Sequence, residues 1–216
     1  MNDPVTLFGF RHSVYQRVAR VALKEKGVLF TVEEIDPFDV IEAERLRDLH
    51  PFGRVPVLRH GSFVLYETSA ITRYVDAAFI GPSLVPDDPR AAAQMAQVIA
   101  ILDSYGYWPM IRQVFSRRVF APHEESTCNE TEVAEGLESS LRVLSALEAI
   151  AAERRVLTGD AVSLADCHLG GMMDYFTRAP EGADLTQGLP CLDAWWQKVR
   201  VRPSITGLDP GDDTAL

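Results

Sequence analysis

The chain has 216 residues, of which 47% are hydrophobic and 24% are charged, a composition typical of a folded protein rather than a disordered one. Its formal net charge of −10 disfavours general binding to nucleic acid or to anionic membranes. No apolar run approaches the roughly 20 residues of a membrane-spanning helix, and the N-terminus lacks the pattern of a secretory signal, so we expect a cytoplasmic protein that binds neither nucleic acid nor membrane.

The first 80 residues alternate between strand-like and helix-like segments. Val5–Phe8 predicts a strand, and the next segment predicts a helix with Ser13 as its N-cap and Gly27 at its end. The remaining predicted strands are Leu29–Ile35, Pro56–Arg59 and Phe63–Tyr66, and the remaining helices are Ala43–Leu49 and Thr68–Phe79. The order β-α-β-α-β-β-α indicates a small mixed α/β domain.

A stretch rich in proline and aspartate follows and predicts a linker, beyond which the periodicity is helical throughout. We expect Pro109 to kink a long helix and Pro203 to end the last one. The Ser-x-x-Asp pattern at Ser163–Asp166 predicts a capping box. The predicted units are an α/β domain over 1–80, a linker over 81–90 and an all-α domain over 91–216.

Three local features bear on chemistry, and the first is Pro56, which stands between a loop and a strand. A cis peptide there would turn the backbone of Val55 towards an extended, peptide-like ligand. Spacing alone favours an ordinary trans proline, because only about 5–6% of X–Pro bonds in folded proteins are cis.

The second feature is the pair Glu67-Thr68, directly ahead of a predicted helix. The first-turn amides of a helix form an anion site, so Thr68 and the backbone can hold a ligand carboxylate while Glu67 holds an ammonium group. On this segment alone, a plain helix N-cap is the better interpretation.

The third feature is Ser13, at the start of the first helix. A hydroxyl in that position can donate a hydrogen bond outwards, and together with the helix dipole it would stabilise a ligand thiolate. The alternative is an N-cap and nothing more. A triad nucleophile is disfavoured because no G-x-S-x-G elbow surrounds Ser13.

The sequence contains no pattern typical of a metal site. The three cysteines show no CxxC spacing, and the five histidines form no HxH or HExxH pair. We expect neither a metal site nor a disulfide framework.

Taken in this order, the features resemble the cytosolic glutathione transferase superfamily, over nearly the whole chain. The segment from Ser13 to Gly27 looks like the serine-type motif of the plant tau class, whereas His50–Val57 and Glu67–Tyr74 look closer to the phi class. The mixture suggests a bacterial-type or unassigned member. The resemblance implies a thioredoxin-like α/β domain that binds glutathione, followed by an all-α helical domain that supplies a hydrophobic substrate pocket.

The resemblance also implies roles for individual residues. Ser13 would activate the glutathione sulfur, and Val55, ahead of a cis-Pro56, would pair its backbone with the cysteinyl part. Glu67 and Thr68 would bind the γ-glutamyl end. Glutathione is then a co-substrate, and no further cofactor is implied.

The sequence departs from the family pattern at both ends of the expected glutathione site. Thr68 keeps the hydroxyl of the usual serine, and His50 replaces the usual asparagine. The phi-class His-Lys pair that grips the glycyl carboxylate has no clear match near 41–42, and Arg54 is the candidate substitute.

The expected reaction is conjugation of the glutathione thiolate to a small hydrophobic electrophile, with peroxide reduction as a further activity. Val14 replaces the proline that usually follows the tau-class serine, and Tyr15 is the alternative activating residue. The rival functions are a non-catalytic scaffold or ligand carrier, and a glutathione-dependent isomerase or dehalogenase.

The family resemblance also implies a homodimer, for which the loop residue Phe52 offers independent support because its burial would require a partner. Family resemblance makes Phe10, after the first strand, and the aromatic part of the long helix candidates for the second substrate's pocket, although a buried helix face explains the spacing of the helix residues. The candidates are Phe10, Tyr15, Tyr107, Trp108, Ile111 and Phe115.

Overall fold

The computed structural model describes residues 3–121 and 128–208. The chain divides into two compact units, Met1–Leu84 and Val85–Leu216. Among the described residues, no helix combines the length and the apolar character that a bilayer span requires.

The first unit is a four-stranded sheet with three helices. Its strands lie in the order β2-β1-β3-β4; β1 pairs with β2 in parallel and with β3 antiparallel, and β3 and β4 form an antiparallel hairpin. The elements in chain order are β1 (Val5–Gly9), α1 (Val14–Lys26), β2 (Thr31–Glu34), α2 (Val40–Leu49), β3 (Val57–His60), β4 (Phe63–Tyr66) and α3 (Thr68–Ala78). The predicted β-α-β-α-β-β-α order is confirmed.

The two faces of the sheet carry separate cores because side chains alternate along a strand. Leu7 of β1 and Leu58 of β3 are fully buried in a cluster that also contains residues of α1 and α3. Their neighbours Phe8 and Val57 are buried on the other side, with Leu46 of α2. The sheet is thereby held between α1 and α3 on one face and α2 on the other.

Helix boundaries follow local capping. The hydroxyl of Ser13 caps α1, and Gly27 ends the helix in the left-handed conformation at φ 75°. Both ends were predicted. Helix α2 begins earlier than predicted, at Val40, because the carboxylate of Asp39 accepts hydrogen bonds from two first-turn amides.

A buried ion pair ties the end of the first unit to its helices. Lys26 Nζ donates to Asp76 Oδ1 at 2.8 Å and to the Pro82 carbonyl at 3.0 Å. Asp76 Oδ1 also accepts the Leu84 amide at 2.8 Å. Gly81 passes close by, where a Cβ would lie 2.2 Å from the Lys26 carbonyl oxygen, so this crossing requires glycine.

In its described part, the second unit is helical. Its elements are α4 (Pro89–Ile101), α5 (Leu102–Phe120), α6 (Glu130–Ala152), α7 (Leu164–Phe176), α8 (Pro180–Gln187), α9 (Pro190–Val199) and α10 (Pro203–Thr206). Helix α5 continues α4 directly with π-type turns, and Pro109, expected to kink the long helix, lies inside it. The all-α prediction is confirmed, but Pro203 opens α10 instead of ending a helix, since proline fits the first helical position.

The capping box predicted at Ser163–Asp166 is present and has a third member. Asp166 Oδ2 accepts from the Ser163 amide at 2.8 Å and from its hydroxyl at 2.6 Å, while Oδ1 accepts the indole N–H of Trp195 at 2.7 Å. Asp166 and Trp195 are buried, so this carboxylate fixes the start of α7 and joins it to α9.

Candidate functional site

The three chemically suggestive segments leave the sheet at the same edge. Phe8 of β1 pairs with Val57 of β3, and Val57 pairs with Tyr66 of β4. The loop to Ser13 follows β1, Val55-Pro56 precede β3, and Glu67 follows β4, so all three lie beyond this row of paired residues. Sheet topology thus brings together residues that are up to 55 positions apart in the sequence.

Ser13 is half-buried at the N-terminus of α1, where its Oγ accepts the Gln16 amide at 3.3 Å. Its own backbone is held by a hydrogen bond from the Ser13 amide to the Phe10 carbonyl at 2.8 Å. Capping uses an oxygen lone pair and leaves the hydroxyl proton for donation to a ligand. Ser13 therefore satisfies both the N-cap interpretation and the stereochemical requirement for a thiolate donor.

The Val55–Pro56 peptide bond is cis. The trans isomer favoured by spacing alone was wrong, and the cis isomer implied by the family resemblance is correct. The isomer of an X–Pro bond is selected by the surrounding structure, which local spacing does not report. Val55 is half-buried and Pro56 is buried, directly ahead of β3.

Glu67 has an unusual backbone for a residue with a side chain, at φ 69° and ψ 116°. It occupies the N-cap position of α3, yet its side chain makes no capping hydrogen bond and is 63% exposed. Thr68, the first residue of α3, is buried. A strained backbone that presents an exposed carboxylate beside the N-terminal amides of a helix is expected of a ligand-binding turn rather than of a plain cap.

His50 is a neighbour of this turn whose contact with Glu67 sequence reasoning missed. Its ring is buried, packs against Tyr66 in a tilted arrangement with centroids 4.5 Å apart, and places Nε2 3.9 Å from Glu67 Oε1. Burial lowers the pKa of His50; the Glu67 carboxylate opposes this shift, and the Arg54 cation adds to it. The sequence signal was the histidine in place of the usual asparagine.

The region expected to hold the glycyl carboxylate carries a different chemistry. Ile41 is largely exposed, and Glu42 is engaged by the Asp36 amide, which donates to its carboxylate. Arg54 is exposed on the loop ahead of β3 and remains the candidate for binding the glycyl carboxylate. The side chains at 41–42 are apolar and acidic, so they offer no cation to a carboxylate.

The pocket candidates differ in their surroundings. In the first unit, Phe10 and Tyr15 are half-buried, and the Phe10 ring lies edge-on to Phe38 with centroids 5.9 Å apart. In the second unit, Tyr107 is half-buried and Trp108 is exposed. Ile111 and Phe115 are buried, and Phe115 stacks on Tyr175 with centroids 4.2 Å apart.

Both halves of the chain match one protein family. The family model for the glutathione S-transferase N-terminal domain matches residues 7–83, and that for the C-terminal domain matches residues 107–203. Glutathione S-transferase F14 of Arabidopsis thaliana is 33% identical over 193 residues, covering 86% of this chain and 75% of the plant protein.

Solved structures give the same result. Glutathione S-transferase I bound with lactoylglutathione has a TM-score of 0.84 and 26% identity, covering 95% of this chain and 98% of that one. Glutathione S-transferase I from maize, in complex with an atrazine glutathione conjugate, has a TM-score of 0.80 and 25% identity, covering 95% and 96%. By sequence and by structure, therefore, the chain belongs to the glutathione S-transferase family.

Proposed function

We propose that this transferase binds glutathione at the sheet edge, ionises its thiol with Ser13 and transfers the thiolate to a small hydrophobic electrophile. The observation that carries the proposal is the Ser13 hydroxyl, which caps α1 through an oxygen lone pair and keeps its proton for the ligand sulfur. The cis-Pro56 turn and the Glu67 turn lie at the same sheet edge.

The glutathione peptide would lie along this edge in an extended form. The backbone of Val55 pairs with the cysteinyl residue by strand addition. Glu67 receives the γ-glutamyl ammonium group, and the Thr68 hydroxyl with the α3 amides receives the adjacent carboxylate. Arg54 takes the glycyl carboxylate.

The energetic requirement on Ser13 is modest. A free thiol with a pKa near 8.5 is only a few per cent ionised at neutral pH, and lowering the pKa by one to two units takes about 1.4–2.7 kcal/mol. A hydrogen bond to a charged group contributes about 1.5–3 kcal/mol, and a helix N-terminus about 0.3–1 kcal/mol. One serine at the start of α1 is therefore sufficient, without metal or organic cofactor.

We further propose that residues 1–80 supply the glutathione site and that residues 91–216 supply the hydrophobic pocket for the second substrate. Tyr107 and Trp108 are the accessible pocket candidates in the second unit, and the aromatic candidates near the glutathione site of the first unit are Phe10 and Tyr15. Ile111 and Phe115 would shape the pocket from behind, since both are buried.

The test is a pH titration of thiolate ultraviolet absorbance with glutathione bound to the native chain, to Ser13→Ala and to Tyr15→Phe. We expect ionisation near or below neutral pH in the native chain and in Tyr15→Phe, and a return towards the free thiol pKa in Ser13→Ala. Identical titration of the native chain and Ser13→Ala would refute the role of Ser13. No glutathione binding at all would favour a scaffold or carrier.

The electrophile class needs a separate measurement. Turnover of simple aromatic electrophiles, lost in Ser13→Ala, supports conjugation, and reduction of an organic hydroperoxide would add the peroxidase activity. An enzyme that binds and ionises glutathione but turns over only a halide or a ring-cleavage product would be a dehalogenase or an isomerase instead.

The assembly is proposed to be a cytoplasmic homodimer. Phe52 is 71% exposed on the loop before β3, which is an unfavourable position for a large apolar ring unless another subunit covers it. Analytical ultracentrifugation of the native chain and of Phe52→Ala tests this, and a native monomer at micromolar concentration would contradict it.

A further inference from the structure

His50 is held rigidly by its own backbone. Its amide donates to the Leu46 carbonyl at the end of α2, at 2.8 Å, and its carbonyl accepts the Gly53 amide, also at 2.8 Å. The side chain is only 2% exposed and lies between the rings of Tyr66 and Phe52. The position of the imidazole is therefore determined by the fold and not by a ligand.

The hydrogen bonds of the ring define its tautomer. The Phe52 amide donates to Nδ1 at 3.1 Å, so Nδ1 is an acceptor and the neutral ring carries its proton on Nε2. Nε2 is the atom that faces Glu67 Oε1, at 3.9 Å. This separation is longer than a hydrogen bond, and a small rotation of the exposed Glu67 side chain closes it.

The ring acts as a neutral donor rather than as a cation. Burial lowers the pKa of His50, and the charged groups that face it, Glu67 and Arg54, act in opposite directions. A second proton would have to go to Nδ1, where it would displace the Phe52 amide. The neutral imidazole therefore presents its Nε2–H to Glu67.

Glu67 needs such a partner. Its backbone is held at φ 69°, and its carboxylate makes no capping bond to α3, so nothing in its own turn fixes where the oxygens lie. We propose that His50 is a positioning residue for the glutathione site: its Nε2–H holds the Glu67 carboxylate in the orientation that receives the γ-glutamyl ammonium group of the co-substrate. This inference rests on the proposed function, in which Glu67 binds that ammonium group.

Two substitutions separate the two ring nitrogens. In His50→Asn, the side-chain oxygen takes the place of Nδ1 and keeps the acceptor for the Phe52 amide, but nothing reaches Glu67. In His50→Gln, the longer side chain places an N–H donor near the position of Nε2 and gives up the acceptor. The asparagine variant thus tests the contact with Glu67, and the glutamine variant controls for loss of the hydrogen bond from the Phe52 amide.

The experiment measures glutathione Kd by calorimetry and the KM and kcat for conjugation, for both variants, in the native and the Glu67→Gln background. We expect His50→Asn to raise Kd and KM for glutathione about five- to tenfold with a smaller change in kcat. His50→Gln should stay within about twofold of the native Kd while losing thermal stability. In the Glu67→Gln background, His50→Asn should add no further loss.

The ligand probe is deamino-glutathione, which lacks the γ-glutamyl ammonium group and keeps the rest of the molecule. His50→Asn should leave the Kd of this probe unchanged. An equal loss for both ligands, or an undiminished effect in Glu67→Gln, assigns His50 a purely structural role and overturns the inference.

Failure of the proposed function has a different signature. If the native chain does not bind glutathione, both the proposed function and the positioning role of His50 are refuted. If the native chain and His50→Asn bind glutathione equally well, only the positioning role of His50 is refuted, and the role proposed for Ser13 is unaffected.

Discussion

Acidification should destabilise the helical unit through His168, which is fully buried in α7. Nδ1 of His168 lies 2.9 Å from the Leu164 carbonyl and must donate to it, because a carbonyl can only accept. Nε2 is buried and has no hydrogen-bond partner among the described residues. Burial therefore lowers the pKa of His168 from 6.5 to about 4, since the charged ring would lose its hydration.

The sign and size of the effect follow from proton linkage. Below about pH 6.5 the unfolded chain protonates His168 while the folded chain does not, so stability falls with pH until the folded pKa of about 4 is reached. The pKa difference corresponds to about 3 kcal/mol when the whole window has been crossed. Between about pH 7 and about pH 5 the loss is about 2 kcal/mol.

Urea unfolding of the native chain and of His168→Leu, at several pH values in this range, measures the effect. Leucine removes the titrating group and keeps the site apolar, and the carboxylates that titrate in both proteins cancel in the difference. We expect the native free energy of unfolding to fall about 2 kcal/mol further than that of the variant between about pH 7 and about pH 5. A parallel decline in both proteins would refute the assignment of a buried neutral histidine.

Substitutions at three further positions test other parts of the fold. Asp166→Ala leaves the Trp195 indole N–H and two further buried donors without an acceptor and should lower the free energy of unfolding by about 3–6 kcal/mol in urea titrations. Asp76→Ala leaves Lys26 as a buried, unpaired cation and should cost about 3–5 kcal/mol, whereas a loss below about 1 kcal/mol would mean that the ammonium reaches water. At Glu67, where φ is 69°, a glycine variant should be more stable than an alanine variant by about 1 kcal/mol, and equal stability would argue against backbone strain.

The parts of the fold that sequence reasoning predicted are those that local chemistry decides. Ser13 and Gly27 bound α1 through contacts within one helical turn, and the capping box joins Ser163 to Asp166, three positions further along the chain. The predicted strand Leu29–Ile35 was too long: β2 is Thr31–Glu34, and Leu29 is almost fully exposed. Apolar character there did not signal pairing, because a strand exists only where a neighbour supplies its hydrogen bonds.

The site divides in the same way. Residue types and their order indicated Ser13, Val55-Pro56 and Glu67-Thr68, and the strand register explains why these segments meet. The contact between His50 and Glu67 joins residues 17 positions apart, on either side of the β3–β4 hairpin. The positive φ of Glu67 has no sequence signature, because glutamate ordinarily avoids that conformation. Both depend on tertiary structure, which periodicity and spacing do not encode.

The Lys26–Asp76 pair has a consequence for how the first unit would behave as an isolated fragment. A fragment ending at residue 80 would lack the Pro82 carbonyl and the Leu84 amide, which complete the shell around this buried pair. A fragment ending at Leu84 keeps both. The shorter fragment should be cut quickly by proteases, and the longer one should resist them. Residues 81–84, which belong to no helix or strand, would then be required for the stability of the first unit as an isolated fragment.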